Sequence, residues 1–362
     1  MNFNFLDPGN LIYTIYFLFL MMFVIARNGY SNKKNKRIFV FFILIQLFLG
    51  CFRMEGVGTD TFAYIRLMDL NRDMSYGQVL FEMIINDPVF YLFLKILYDP
   101  FQSYTLVFSV LQIIFWISLG VIMYRYSEKC LLALFVFVFL KYHFNVWSAI
   151  RQGMALSFII WSYSFLLKEK NLYYLLCVGV AGLAHSSAVL FLFAYPLRKI
   201  CLYEKKRLLV GITFLVIGAT PFLEFLNVFN FDIIGLLNEG SASNLFILVS
   251  TILAFMFVVV TFKPDGSMQN NLLFNLSFIA FLFAILGFRV TLGYRVLIYF
   301  GFFLSLLVSN VVVQNRWHVN KVLSRLLIPM VVMYMLTGIP ASVSPYHFVW
   351  EHNVRIDPET KK

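Results

Sequence analysis

Leu11-Ile-Tyr-Thr-Ile-Tyr-Phe-Leu-Phe-Leu-Met-Met-Phe-Val-Ile25 runs without a single charged side chain. Arg27 and the basic group Lys33, Lys34, Lys36 and Arg37 then close it off. The same texture returns along the chain as far as the Ile339 region. Several of these stretches approach the roughly 17 to 25 apolar residues that carry a helix across a bilayer. The composition agrees, with 61% hydrophobic and only 13% charged residues, where soluble domains carry about 25% charged. Mean hydropathy is +0.81. Lipid offers no partner to a backbone amide, and the runs are too continuous for the alternating pattern of barrel strands, so helices are the expected scaffold. The fold class is therefore an all-α, polytopic transmembrane helical bundle. It is a single integral membrane domain over 1–362.

A net charge of +11 and a pI near 9.4 would suggest a nucleic-acid partner in a soluble chain. Here the Lys and Arg residues sit mostly in short loops between apolar stretches and read as topology signals, so no nucleic acid is expected. Cys51, Cys130, Cys177 and Cys201 lie in or beside spans without metal-ligand spacing and read as apolar filler; neither a metal nor a disulfide is expected. Met1 to Asn10 lacks the basic region of a cleavable signal peptide, so the segment from Leu11 reads as a retained first span.

The two strongest basic clusters, Arg27 to Arg37 and Arg198, Lys199, Lys205, Lys206 and Arg207, are assigned to the cytoplasm. Arg125 with Lys129, Lys168 with Lys170, Lys263, and Arg316 with Lys321 mark weaker inside loops. The external connections are then 53–104, the turn around Asn145, the tip near His185, the loop 224–244, Arg289 to Gly293, and the tail 340–362. Two commitments follow. Asp87 to Tyr98 must be a short re-entrant or interfacial helix after the second span, and Leu172 to Leu197 must be a hairpin of two short helices turning near His185. The count is roughly twelve crossings with both ends outside. A rival scheme has each of these segments cross once; it places Arg125, Lys129, Lys168 and Lys170 outside, against the positive-inside rule.

Ionisable residues near lipid are costly and mark functional sites by default. Four constellations stand out, all on the external side of this topology. The first is Arg53 with Gly58-Thr59-Asp60-Thr61 and Tyr64. Its two glycines, Gly56 and Gly58, permit a tight path before a carboxylate that could take a proton from a sugar hydroxyl; equally, Asp60 could merely cap the next helix. The second is Asn145 with Arg151 and Gln152 in the first turns of a long apolar helix. A guanidinium there suits bidentate phosphate capture, against simple snorkelling to water. The third, His185-Ser186-Ser187, offers either a general base or a histidine satisfied by a neighbouring carbonyl or serine. The fourth, Arg289 with Tyr294, Arg295 and Tyr299, pairs guanidiniums with aromatic faces suited to sugars; the tyrosines could equally be aromatic-belt residues.

Taken in order, these segments resemble the EpsG family of bacterial exopolysaccharide polymerases, functional relatives of the Wzy O-antigen and capsule polymerases. The resemblance runs from Arg53 through Gly58-Thr59-Asp60-Thr61 and Tyr64, Asn145 with Arg151-Gln152 and Ala155, His185-Ser186, and Arg289 before Tyr299-Phe300, to Pro345-Tyr346-His347-Phe348. Residues 211–262 carry no matching motif. The resemblance implies a multi-pass protein of the bacterial cytoplasmic (inner) membrane with its active site on the outer, periplasmic face. It implies a glycosyltransferase that joins undecaprenyl-diphosphate-linked oligosaccharide repeat units, without a cofactor, in the lipid bilayer and beside a chain-length regulator.

Within that expectation the growing negative charge of the leaving diphosphate calls for guanidiniums. Arg151, Arg289 and Arg295 are the candidates, with Arg53 in support. Asp60 is the first choice of base and His185 the second. Thr61, Tyr64, Asn145, Gln152, Tyr299 and Tyr346 complete the expected substrate-binding set. The rival functions are a flippase or exporter of lipid-linked oligosaccharide, a single-addition membrane glycosyltransferase, and a sugar acyltransferase. Charges gathered at one face, and the lack of a visible internal repeat, favour the polymerase over the transporter.

Overall fold

The computed structural model describes residues 8–27, 32–58, 60–82, 87–226, 242–288, 291–315, 332–334, 339–340, 343 and 346–351. Of the structure 81% is helical, and no strand occurs among the described residues. In chain order the helices are α1 Pro8–Arg27, α2 Asn32–Cys51, α3 Thr61–Leu70, α4 Tyr76–Glu82, α5 Pro88–Phe101, α6 Tyr104–Tyr126, α7 Cys130–Phe139, α8 Tyr142–Ser148, α9 Ile150–Leu167 and α10 Asn171–Ala184. A 3-10 segment Ser186–Phe193 then leads into α11 Ala194–Leu197, α12 Lys206–Leu226, α13 Ala242–Thr261, α14 Met268–Leu286 and α15 Thr291–Gln314. The expected short helix after the second span is α5. The expected hairpin is α10 followed by the 3-10 segment and α11, with His185 at the corner.

Among the described residues, three helices are long and apolar enough to cross a membrane unaided, Tyr104–Tyr126, Met268–Leu286 and Leu292–Gln314, and α7 with α8 forms a fourth candidate bent by 66°. Other stretches counted among the expected crossings fold as shorter apolar helices, among them Asn10–Ala26, Asn171–Ala184 and Ser186–Leu197. Asn145 lies inside α8 and not at a plain turn. The break comes before it, at Lys141, whose φ of 60° is left-handed. Of the external segments, most of 224–244 and most of the tail lie outside the described residues.

Helix α6 packs on α2 and α9, α9 on α10, and α15 on α14 and α7, which places one continuous apolar core between the long helices. Aromatic rings fill much of it. Phe17 stacks on Tyr334 at 3.9 Å between centroids, and Phe255 on Phe281 at 4.9 Å. Where helices end inside this apolar surrounding, amide side chains from neighbours meet the free backbone groups, as an environment without water requires. Asn310 of α15 accepts from the Glu128 amide (2.9 Å), and Ser309 bonds both the amide and the carbonyl of Lys129 (3.1 Å each). Asn275 of α14 donates to Leu197 O (2.8 Å) and accepts from Leu202 N (3.2 Å).

The tail folds back on the start of the chain. Arg53 and Phe348 form an antiparallel bridge, Met54 N donates to His347 O (2.7 Å), and Val349 N donates to Phe52 O (3.0 Å). Tyr346 donates to Leu49 O and Tyr13 to Val343 O, each at 2.9 Å. These bonds hold the loop after α2 against α1 and the chain's far end.

That loop turns at Gly58, where φ is +125° and a Cβ would sit 2.6 Å from Thr61 Oγ1 and 2.7 Å from Trp147 O. Backbone strain and collision with a carbonyl both oppose any side chain there. Gly58→Ala is expected to cost about 2 kcal/mol or more in thermal unfolding of the purified protein. Gly77→Ala, at a helical position with open space around it, should leave stability unchanged or raise it by up to ~1 kcal/mol.

Candidate active site

The site is built around Asp87. Pro88 occupies the first turn of α5 and fixes where that helix begins, which leaves Asp87 at its cap position with φ 58° and ψ 54°. The side chain makes no capping bond to its own helix. It reaches across to the corner between α10 and the 3-10 segment, where Oδ1 accepts the Ser186 amide at 2.9 Å and Oδ2 faces His185 Nδ1 at 3.3 Å. The first amides of a helical turn have no partner within it, so Asp87 caps a neighbour's N-terminus. Oδ2 also pairs with Arg151 Nη1 at 3.1 Å, from the first turn of α9.

Arg151 carries the network onward. Its Nε donates to the Tyr64 hydroxyl at 3.1 Å, its guanidinium carbon lies 5.6 Å from the Tyr64 ring centroid, and Tyr91 of α5 makes a longer contact with Nη1 at 3.5 Å. Tyr64 in turn donates to Asp60 Oδ2 at 3.2 Å. Asp60 stands at the cap position of α3 without a side-chain capping bond, so its carboxylate is engaged by a hydroxyl one turn on and not by the helix end. Four elements thus meet in one chain of contacts: Asp60, Tyr64, Arg151, Asp87, His185.

The exposures differ in a useful way. The Asp87 side chain is 8% exposed and His185 14%, whereas Arg151 is 30% exposed. The carboxylate is the buried anchor, and the guanidinium is the part open to an incoming group. Burial alone would raise the Asp87 pKa, but His185, the Ser186 amide and Arg151 together outweigh it and hold the carboxyl below its ordinary value. Opposite charge and donated hydrogen bonds both favour the ionised form.

A second set ties the start of α9 to α15. Tyr294 donates to Asn145 Oδ1 at 2.7 Å, and Gln152 donates to the Arg295 carbonyl. The Arg295 side chain itself is exposed. Tyr299 is buried, its hydroxyl faces that of Ser187, and it lies within electrostatic reach of Asp87, Arg295 and Arg151. Asn145, Gln152 and Tyr299 therefore frame the first set from the α15 side. Arg289 lies outside the described residues.

Arg53, Thr61 and Tyr346 form a third group, packed and closed. Arg53 donates through Nη1 to Trp147 O, Nη2 is buried without a partner among the described residues, and burial pushes the guanidinium pKa down to about 10, against the pull of Tyr13 and Tyr346. It stays charged at neutral pH. Thr61 Oγ1 bonds Val57 O at 3.3 Å, and Tyr346 is committed to Leu49. Among the described residues no three His, Cys, Asp or Glu side chains converge as metal ligands; the group nearest the Asp87–His185 pair is the cationic Arg151.

Sequence reading did not select Asp87 or Tyr91 as site residues. A signal was present for Asp87: an acidic residue directly before a proline, at the head of an amphipathic helix in a membrane chain. Nothing local marks Tyr91 among the chain's 20 tyrosines.

A helical multi-pass membrane protein with a buried carboxylate, a histidine and a half-open arginine at the meeting point of several helix ends is the class this fold and site define. The EpsG family model matches residues 36–348, and the chain belongs to the EpsG family. Family membership supports a polysaccharide polymerase-like role in general terms. No curated protein and no solved structure matches the chain.

The lowered Asp87 pKa sets the sign of an acid dependence. Its contribution to stability is complete above the ordinary carboxylate range and is withdrawn as pH falls through the lowered value. Asp87→Ala should cost about 1 to 3 kcal/mol near neutrality, because the Ser186 amide and Arg151 both lose their acceptor. Measured by thermal unfolding, the gap between the wild type and Asp87→Asn should persist at about pH 5 and close only below about pH 4.

Proposed function

We propose that this protein is a polyprenyl-diphosphate-dependent glycan polymerase. It lengthens an exopolysaccharide, capsule or O-antigen chain by joining undecaprenyl-diphosphate-linked repeat units at the outer face of the cytoplasmic membrane. The observation that carries this reading is Arg151. It is held from one side by Asp87 and Tyr64, remains 30% exposed, and stands beside a histidine.

In the reaction a sugar hydroxyl of one lipid-linked unit attacks the anomeric carbon at the reducing end of the growing chain. The new glycosidic C–O bond forms as the bond to the diphosphate oxygen breaks. The hydroxyl proton passes to a base, and the carrier leaves as the diphosphate anion. Arg151 uses Nε and Nη1 on protein partners and has Nη2 for the oxygens of that anion, where charge develops in the transition state. Arg295, with its exposed side chain on α15, is the second cation.

His185 suits the base role. With Nδ1 facing Asp87, the imidazole is oriented and its other nitrogen is left for substrate; the carboxylate stabilises the imidazolium that forms. Asp60, which accepts from Tyr64, is the alternative base, and it otherwise tunes Tyr64 and through it Arg151. A chain-length regulator in the same membrane is the expected partner.

Purified protein supplied with lipid-linked repeat units is expected to yield a ladder of products. A single addition would indicate a simple transferase, and unchanged substrate would leave the polymerase reading without support. Arg151→Ala and His185→Ala should each lower the rate by about 100-fold or more with normal membrane insertion. Asp60→Asn should retain most of the rate; a loss as large as that of His185→Ala would move the base to Asp60.

A further inference from the structure

An open groove of about 360 Å³ runs along the seam between α2 and α6. Phe39 and Ile43 line it from α2, and Trp116, Gly120 and Tyr124 from α6, ending at Arg125. The seam is open because Gly120 has no side chain: a Cβ there would already touch Ile43 at 3.5 Å. One end is cationic. Arg125 is exposed and makes no ion pair among the described residues, and Lys36 of α2 holds its ammonium 4.1 Å from the Tyr124 ring centroid. Trp116 is fully buried, and its indole N–H has no hydrogen-bond partner among the described residues.

We propose that this groove is a binding site for one anionic glycerophospholipid, with an acyl chain between α2 and α6 and its phosphate at Lys36 and Arg125. Two cations without a carboxylate partner among the described residues match a phosphate that carries net negative charge and discriminate against a zwitterionic headgroup.

The site is separate from the proposed reaction centre. Tyr126, beside Arg125 on α6, bonds Ser164 near the C-terminal end of α9 at 2.7 Å, and Trp161 bonds Ser118 at 3.0 Å. The two helices therefore run in the same direction, and the cationic end of the groove lies at the end of the α6–α9 pair opposite Arg151. At 1.5 Å per residue that is roughly 20 Å along the helix. The headgroup at Arg125 is accordingly not the diphosphate that Arg151 would hold.

The test uses the full chain reconstituted in phosphatidylcholine vesicles to which lipids with brominated acyl chains are added, either phosphatidylglycerol or phosphatidylcholine. Fluorescence quenching assigned to Trp116 is the wild-type signal less that of Trp116→Phe. Brominated phosphatidylglycerol should quench it with an apparent affinity about fivefold or more above that of brominated phosphatidylcholine, the worth of one basic group at an anionic surface. Arg125→Gln should bring the ratio towards one, and Gly120→Phe should abolish quenching by both. Equal quenching in the wild type, or an unchanged ratio in Arg125→Gln, would overturn the proposal in favour of ordinary boundary lipid. So would displacement of phosphatidylglycerol by undecaprenyl phosphate at equal concentration. Should Trp116→Phe fail to fold, mass spectrometry of the intact wild-type and Arg125→Gln proteins reads the same site. A retained phosphatidylglycerol adduct that is lost in the variant supports it, and an adduct present equally in both refutes it.

Discussion

A single carboxylate, Asp87, accepts from three donors supplied by two distant parts of the chain: the Ser186 amide, His185 and Arg151. A charge placed beside lipid must be paired and hydrogen-bonded or it will not remain a charge. Asp87 satisfies that requirement only when α5, the α10 corner and the start of α9 are all in place, so the arrangement of these elements and the ionisation of the site depend on one another. The left-handed backbone at Asp87 fits this view. The chain accepts a conformation unfavourable for a residue with a side chain, at the position where the side chain does the most pairing.

Around this anchor the fold keeps backbone ends from being exposed to hydrocarbon. Asn275, Ser309 and Asn310 serve helix ends from neighbouring helices. The tail supplies carbonyls to Tyr13 and Met54 and a bridge to Arg53. The site inherits rigidity from these contacts: Trp147, whose carbonyl receives Arg53, lies four residues before Arg151, just ahead of the break at Ala149. The Arg53 group is thus a support, closed on every side, while Arg151 is left with an open flank. The two arginines look alike in the sequence and differ entirely in surroundings.

Much of this was legible beforehand. The short helix opened by Pro88 and the hairpin cornered at His185 were both drawn from the spacing of apolar and basic residues, because the bilayer restricts what such stretches can become. Asp60, Tyr64, Arg151 and His185 were picked for being polar groups at the ends of apolar segments, and the structure brings those four into one network. Asp87 was used only to mark where a helix begins, since its partners lie 64 and 98 residues further along the chain and no local pattern reports a contact at that range. The breaks inside single spans stay hidden for a related reason. Hydropathy sums an apolar stretch without registering the breaks, such as the one at Lys141, that turn one stretch into two helices 66° apart.

By itself the amino-acid sequence determined the helical membrane class, the positions of most helix starts and corners, and the family, because these rest on local composition, on residues such as Pro88 and Gly58, and on motif order. Only the tertiary structure decided that Asp87 is the common partner of Arg151 and His185, that Arg53 is enclosed while Arg151 is open, and that a gap remains between α2 and α6. Each of these is a relation between side chains on different helices, set by how the helices pack, and packing is a property of pairs of surfaces that no single stretch of chain contains.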